Sequence, residues 1–145
     1  MRTHTRQAMA TAVLTCLFFP AASGLIAQST LAGVYRTTLS AADLPGAPPG
    51  AAEKMAGAWT VTFGPDGTYS VRHDGEEHVK GSYTSSGDQF TLSDASGDFA
   101  CLGDDAQGVY RVSRTGTSAK FSVVKDAACA GRAAILSAKG FEQVK

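Results

Sequence analysis

Short runs of alternating apolar and polar residues, broken by turn signals, leave this chain few folds to choose from. In residues 57–63, Trp59, Val61 and Phe63 fall on one face and Ala58, Thr60 and Thr62 on the other. Gly64-Pro65-Asp66-Gly67 follows, with Pro supplying a fixed φ and Gly closing the turn. Residues 68–73 then set Tyr69 and Val71 against Ser70 and Arg72, and Asp74-Gly75 is a strong two-residue hairpin signal. Residues 78–84 oppose Val79 and Tyr83 to Lys80 and Ser82, and Ser85-Ser86-Gly87-Asp88 turns into Phe90 and Leu92. Residues 108–114 carry Tyr110 and Val112, Thr115-Gly116 turns, and residues 117–124 carry Phe121 and Val123. The apolar run 132–138 reads as the last strand and residues 34–39 supply one at the start. Period-two alternation rich in Thr, Val, Tyr and Phe is the mark of half-buried strands.

Eight such strands joined by short turns predict an all-β, antiparallel, up-and-down eight-stranded barrel. Gly-x-aromatic recurs at Gly33-Val34-Tyr35, Gly57-Ala58-Trp59, Gly67-Thr68-Tyr69, Gly81-Ser82-Tyr83 and Gly108-Val109-Tyr110. Glycine permits the sharp coiling that closing a sheet demands, and a nearby ring can cover it. Two stretches break the alternation. Residues 40–56 are rich in Ala and Pro and predict a short N-terminal helical segment, with Ser40 and Asp43 capping one turn and Pro49 opening another. Residues 94–107 read as a long acidic loop.

The first 27 residues have a different character. Arg2 and Arg6 precede an apolar run, 8–19, which Pro20 and the small residues Ala21, Ala22, Ser23 and Gly24 end. That order describes a secretory signal peptide, 1–27, and the run is too short to span a bilayer. Residues 28–145 are then one domain of 118 residues, with 11 basic against 13 acidic groups. Nothing in that balance suits nucleic acid, which needs a basic excess. Cys16 leaves with the signal, so Cys101 and Cys129 remain as a pair, and an exported protein offers an oxidising place for them to join. The bond would close a loop of about 29 residues, a stabilisation of roughly 3–4 kcal/mol by chain entropy.

The Gly57-Ala58-Trp59 triplet at the head of the hairpin series, with Arg132 entering the final core segment, resembles the lipocalin pattern. The chain looks like the small secreted lipocalin-like (calycin) domains of bacteria, over residues 33–138. The resemblance implies that Arg132 packs its guanidinium over Trp59 as a structural closure of one barrel end. Such a pairing is worth roughly 0.5–2 kcal/mol. It departs from the family in having a strand-like segment before the triplet and a short mature chain.

Catalytic signatures are missing from the sequence: it has no G-x-S-x-G, H-E-x-x-H, P-loop or G-x-G-x-x-G. His73 and His78 flank an acidic hairpin tip that includes Glu77, and Asp98, Asp104 and Asp105 share an acidic loop. Solvated loops are the expected role for both, and no metal or cofactor is expected. Asp126 and Arg132 flank Cys129 and can form a structural pair. Alternation points Val61, Phe63, Tyr69, Val71, Val79, Tyr83, Phe90, Leu92, Tyr110, Val112, Phe121, Val123 and Ile135 inward beside Trp59. An eight-stranded barrel either fills with such side chains or holds one small ligand. The expected function is a secreted lipocalin-like protein that holds a small apolar molecule inside the barrel. Its partners are then that ligand alone, with no nucleic acid, no stable membrane insertion, and a monomeric chain. The alternative is a barrel-type interaction module such as a protease inhibitor, working through residues 28–56 or the acidic loop. An enzyme that cyclises a substrate by shaping it would leave no motif to find.

Overall fold

The computed structural model describes residues 31–145. The expected export signal, 1–27, lies outside the described residues. The eight strands are β1 (Gly33–Leu39), β2 (Gly57–Phe63), β3 (Thr68–His73), β4 (Glu76–Ser86), β5 (Gln89–Ser96), β6 (Gly108–Thr115), β7 (Ser118–Lys125) and β8 (Phe141–Val144). Each pairs antiparallel with the next, and β1 pairs with β8 to close the barrel. Closure leaves no strand without a partner on either side, although β7 and β8 pair over only two residues. Between β1 and β2 lie a 3-10 turn, Ala41–Asp43, and the one-turn helix α1 (Ala52–Met55). The 3-10 turn starts at a reciprocal cap, in which the Ser40 N–H and hydroxyl both donate to Asp43 Oδ2.

The turn chemistry accounts for the strand order. Asp74 (φ 49°) and Gly75 (φ 90°) both occupy the left-handed region that a two-residue hairpin needs. The Asp74 carboxylate also accepts the Ala58 N–H at 2.8 Å, tying this tip back to β2. Curvature comes from register shifts at Val71/Arg72, Lys80/Gly81 and Val109/Tyr110. Gly81 faces Tyr69 across the β3–β4 ladder, and a Cβ there would sit 2.6 Å from the Tyr69 ring. The ring lies where glycine leaves room, so aromatic cover comes from the neighbouring strand as well as from two residues along.

Two expectations fail here. Residues 132–138 are not a strand: helix α2 spans Ala130–Ala138, and the eighth strand is Phe141–Val144. The run Ala130-Gly131-Arg132-Ala133-Ala134-Ile135-Leu136 has a single β-branched residue, and Ala, Arg and Leu are strong helix formers. Val123 does not point into the core; it is 43% exposed. Strand β7 runs past β8, which pairs only with Ser118 and Ala119, so the wall at Val123 has lost its neighbour on that side.

The core is aromatic at its centre. Phe63 lies within 5.1 to 6.3 Å, ring centre to ring centre, of Tyr35, Tyr69, Tyr83, Phe90 and Phe121. Edge-on pairs at this spacing add stabilisation beyond area burial. Leu31, Tyr35, Leu39, Leu44, Ala119, Ala134, Leu136 and Phe141 also belong to the buried core and were not among the residues expected inward. Replacing Phe63 with Ala should cost about 3–5 kcal/mol, because the surrounding rings cannot all collapse into the space. Urea unfolding should show the midpoint fall with little change in slope; a loss below about 1 kcal/mol would mean that Phe63 is not the centre of the core.

Candidate functional site

A cavity of about 260 Å³ occupies one part of the barrel interior. Its walls come from β2 through Trp59, Val61 and Phe63, from β3 through Tyr69 and Val71, from β4 through Val79, and from β5 through Leu92 and Asp94. Helix α2 closes the opposite side with Gly131, Arg132, Ile135 and Leu136. Lys54, Met55, Phe99 and Cys101 complete the lining from α1 and from the loop after β5. Of the residues expected inward beside Trp59, Val61, Phe63, Tyr69, Val71, Val79, Leu92 and Ile135 line this cavity. Tyr83, Phe90, Tyr110 and Phe121 are buried but do not line it; they fill the rest of the interior. Phe63 belongs to both regions and forms the partition between them. Val123 reaches neither.

Trp59 and Arg132 both line the cavity, but the expected pairing between them is absent. The Trp59 indole stacks on His73 with ring centres 4.2 Å apart, and its N–H donates to the Met55 carbonyl at 2.8 Å. The guanidinium found over an aromatic ring is that of Arg114, above Tyr35. Arg132 is instead held by carboxylates. Its Nη1 donates to Asp94 Oδ1 at 2.8 Å, its Nε to Asp126 Oδ2 at 2.8 Å, and its Nη2 to Asp126 Oδ1 at 2.7 Å. Nη2 also donates to the Ala106 carbonyl. The side chains of Asp94 and Asp126 are 2% and 0% exposed, and that of Arg132 11%. A guanidinium suits this place because its planar fork matches two oxygens of one carboxylate while a third bond reaches another.

Two phenols complete the cluster. Tyr69 donates to Asp94 and Tyr110 to Asp126. Burial pushes both phenols well above their ordinary value, and the carboxylates that they donate to push them further, so both stay protonated and neutral. Burial works against the charge on Arg132, but its hydrogen bond to Asp126 and the fields of Asp94 and Asp126 outweigh it and hold the guanidinium above its usual range. The Cys101 N–H donates to Asp94 Oδ2 at 2.8 Å. Gly108 makes the cluster possible: a Cβ there would stand 2.8 Å from Asp126 Oδ2 and 2.9 Å from Arg132 Nη2. The Asp126–Arg132 pair was legible as two opposite charges around Cys129, whereas Asp94 was read only as part of an acidic loop. Its signal was indirect: Tyr69 and Tyr110 point inward, and a buried phenol needs a partner.

Cys101 and Cys129 form the expected disulfide, with Cα atoms 6.0 Å apart. It fastens the loop after β5 to the start of α2, so two walls of the cavity share one cross-link. Phe99 of the same loop stacks on His78 with ring centres 4.1 Å apart, and His78 Nδ1 lies 2.9 Å from Asp98 Oδ1. His73 contacts the Ala56 carbonyl at 2.9 Å, and Glu77 pairs with Lys80 at 2.9 Å. Among the described residues no three His, Cys, Asp or Glu side chains are grouped to hold a metal ion, and no helix is long and apolar enough to cross a membrane.

Comparison with protein-family models, with curated proteins and with solved structures finds no match to this chain.

Removing Arg132 should leave two buried carboxylates facing each other without their cation. Arg132→Met should cost about 3–5 kcal/mol in urea unfolding. Adding Asp94→Asn and Asp126→Asn to that variant should recover more than half of the loss, since no uncompensated charge then remains. A single variant within about 1 kcal/mol of the parent would show that the cluster is not what secures α2.

Proposed function

We propose that this chain is an exported, lipocalin-like binding protein that holds a small apolar molecule within its barrel. The observation that carries the reading is the cavity of about 260 Å³, apolar on nearly every wall and bounded by β2–β5 and α2. Ligand sites are concave, mostly apolar and mostly preformed, with a few polar groups that orient the guest. This cavity has that character and is slightly smaller than the usual range. An apolar cavity of roughly 150 Å³ takes up benzene, so this one suits a guest of about ten non-hydrogen atoms. The early G-x-W strand and the up-and-down closure support the lipocalin-like assignment. The disulfide supports an oxidising destination outside the reducing cytosol.

The chain has one Trp, and it lines the cavity, so its emission reports on occupancy. Isopropylcyclohexane, a hydrocarbon of about nine heavy atoms, should shift Trp59 fluorescence saturably. Gly131→Phe should weaken that binding at least ten-fold. A side chain at Gly131 enters free space, since a Cβ there meets only the Met55 methyl at 4.0 Å, and the exchange favours the helix. Equal binding by the two proteins, or no response from the parent, would remove the cavity as the binding site.

A further inference from the structure

A guest needs a way into the cavity, and the lining points to one place. Of the residues that form the walls, only Lys54 and Phe99 are exposed; the others are buried or partly buried. Lys54 stands on α1, and Phe99 on the loop after β5. Trp59 reaches both sides of the gap between them. Its indole N–H donates to the Met55 carbonyl of α1, and its ring centre lies 6.4 Å from that of Phe99. His73 and His78, at the two feet of the β3–β4 hairpin, stack on Trp59 and on Phe99 respectively. The mouth therefore opens between α1 and this loop, at the end of the barrel that carries the β3–β4 hairpin.

Phe99 lines the cavity although it is half-exposed, so its ring stands between the cavity and solvent. Its backbone is held on both sides. Gly97, at φ 123°, lies so close to β4 that a Cβ there would collide with the His78 carbonyl. The Phe99 N–H donates to the same carbonyl at 3.3 Å. Two residues further on, Cys101 is fixed by the disulfide and by its N–H bond to Asp94. What remains free to move is the ring, by rotation about its side-chain bonds, which at an exposed residue is fast. The ring rests on the His78 imidazole, with centres 4.1 Å apart and planes 7° from parallel. His78 is outside the cavity lining, and its Nδ1 lies 2.9 Å from Asp98 Oδ1, so the seat is itself tied to the loop.

On the footing of the binding reading above, we propose that Phe99 is the gate of the cavity: its ring, seated on His78, covers the mouth, and an apolar guest enters and leaves when the ring swings off that seat. A gate scales entry and release together, by the fraction of time the ring is away, and leaves affinity nearly unchanged. A side chain that is only a wall contact behaves differently: losing it speeds release and leaves entry alone.

Stopped-flow mixing of the protein with isopropylcyclohexane, followed by Trp59 emission, gives both rate constants. Phe99→Ala should raise entry and release by about ten-fold each and change Kd by less than about three-fold, as expected when a ring that covers the mouth most of the time is removed. Phe99 is not part of the buried core, so the fold survives the change. His78→Ala keeps the ring but removes its seat, and should raise both rates by roughly two- to five-fold. Leu102→Ala, on the same loop but away from the cavity, should alter neither rate. Faster release with unchanged entry in Phe99→Ala would reduce Phe99 to a wall contact and overturn the gate. Unchanged rates in that variant would place the mouth elsewhere, and unchanged rates in His78→Ala would remove His78 as the seat. Equal acceleration by Leu102→Ala would assign the effect to a loosened loop and overturn the gate as well. No fluorescence response from the parent would remove the binding reading and the gate with it, whereas a parent that binds beside an unaltered Phe99→Ala removes the gate alone.

Discussion

Arg132 is the point at which the separate parts of this molecule are joined. Its guanidinium leaves α2, bonds Asp94 on β5 and Asp126 between β7 and α2, and reaches the Ala106 carbonyl in the loop before β6. Through Asp94 it is linked to Tyr69 on β3 and to the backbone of Cys101, and through Asp126 to Tyr110 on β6. Six parts of the chain thus converge on one charged group that water scarcely reaches. The arrangement holds because every member has partners; a cluster of this kind is poor in net stability and rich in geometric specificity. It fixes where α2 sits, and α2 is one wall of the cavity.

The interior divides in two because different elements close its two parts. Where the strands close on one another, aromatic side chains interlock around Phe63 and leave no comparable space. Where α2 faces β2–β5, the lining includes Gly131, which has no side chain to fill the volume. A continuous strand in place of α2 would have brought alternating large residues inward. The empty space thus follows from composition: an alanine- and glycine-rich helix cannot fill what an aromatic strand would. The disulfide between Cys101 and Cys129 keeps the loop and the helix together on that side.

Most of the barrel was legible because period-two alternation and turn chemistry are local signals. Trp59, Val61 and Phe63 alternate strictly, and Asp74-Gly75 and Gly64-Pro65-Asp66-Gly67 bracket the strands that follow. The eighth strand was not legible, since Phe141–Val144 is only four residues long and stands beside a longer apolar run that is helical. Alternation also placed Val123 inward, because it cannot register where a neighbouring strand stops. The site was legible in part. Its apolar walls follow from alternation, but its polar end depends on Asp94 meeting Arg132 from 38 positions away, and no local pattern encodes that. The lipocalin resemblance drew attention to Arg132 for a partner, Trp59, that it does not take.

The barrel is filled by aromatic side chains around Phe63 and leaves an apolar cavity between β2–β5 and α2. Xenon enters dry apolar cavities and scatters strongly enough to be located. Diffraction from xenon-pressurised crystals should place one or more xenon atoms among Val61, Val71 and Ile135, and none among Phe90, Phe121 and Phe141. An empty map between β2–β5 and α2, ordered water in that space, or xenon on the aromatic side would contradict the account.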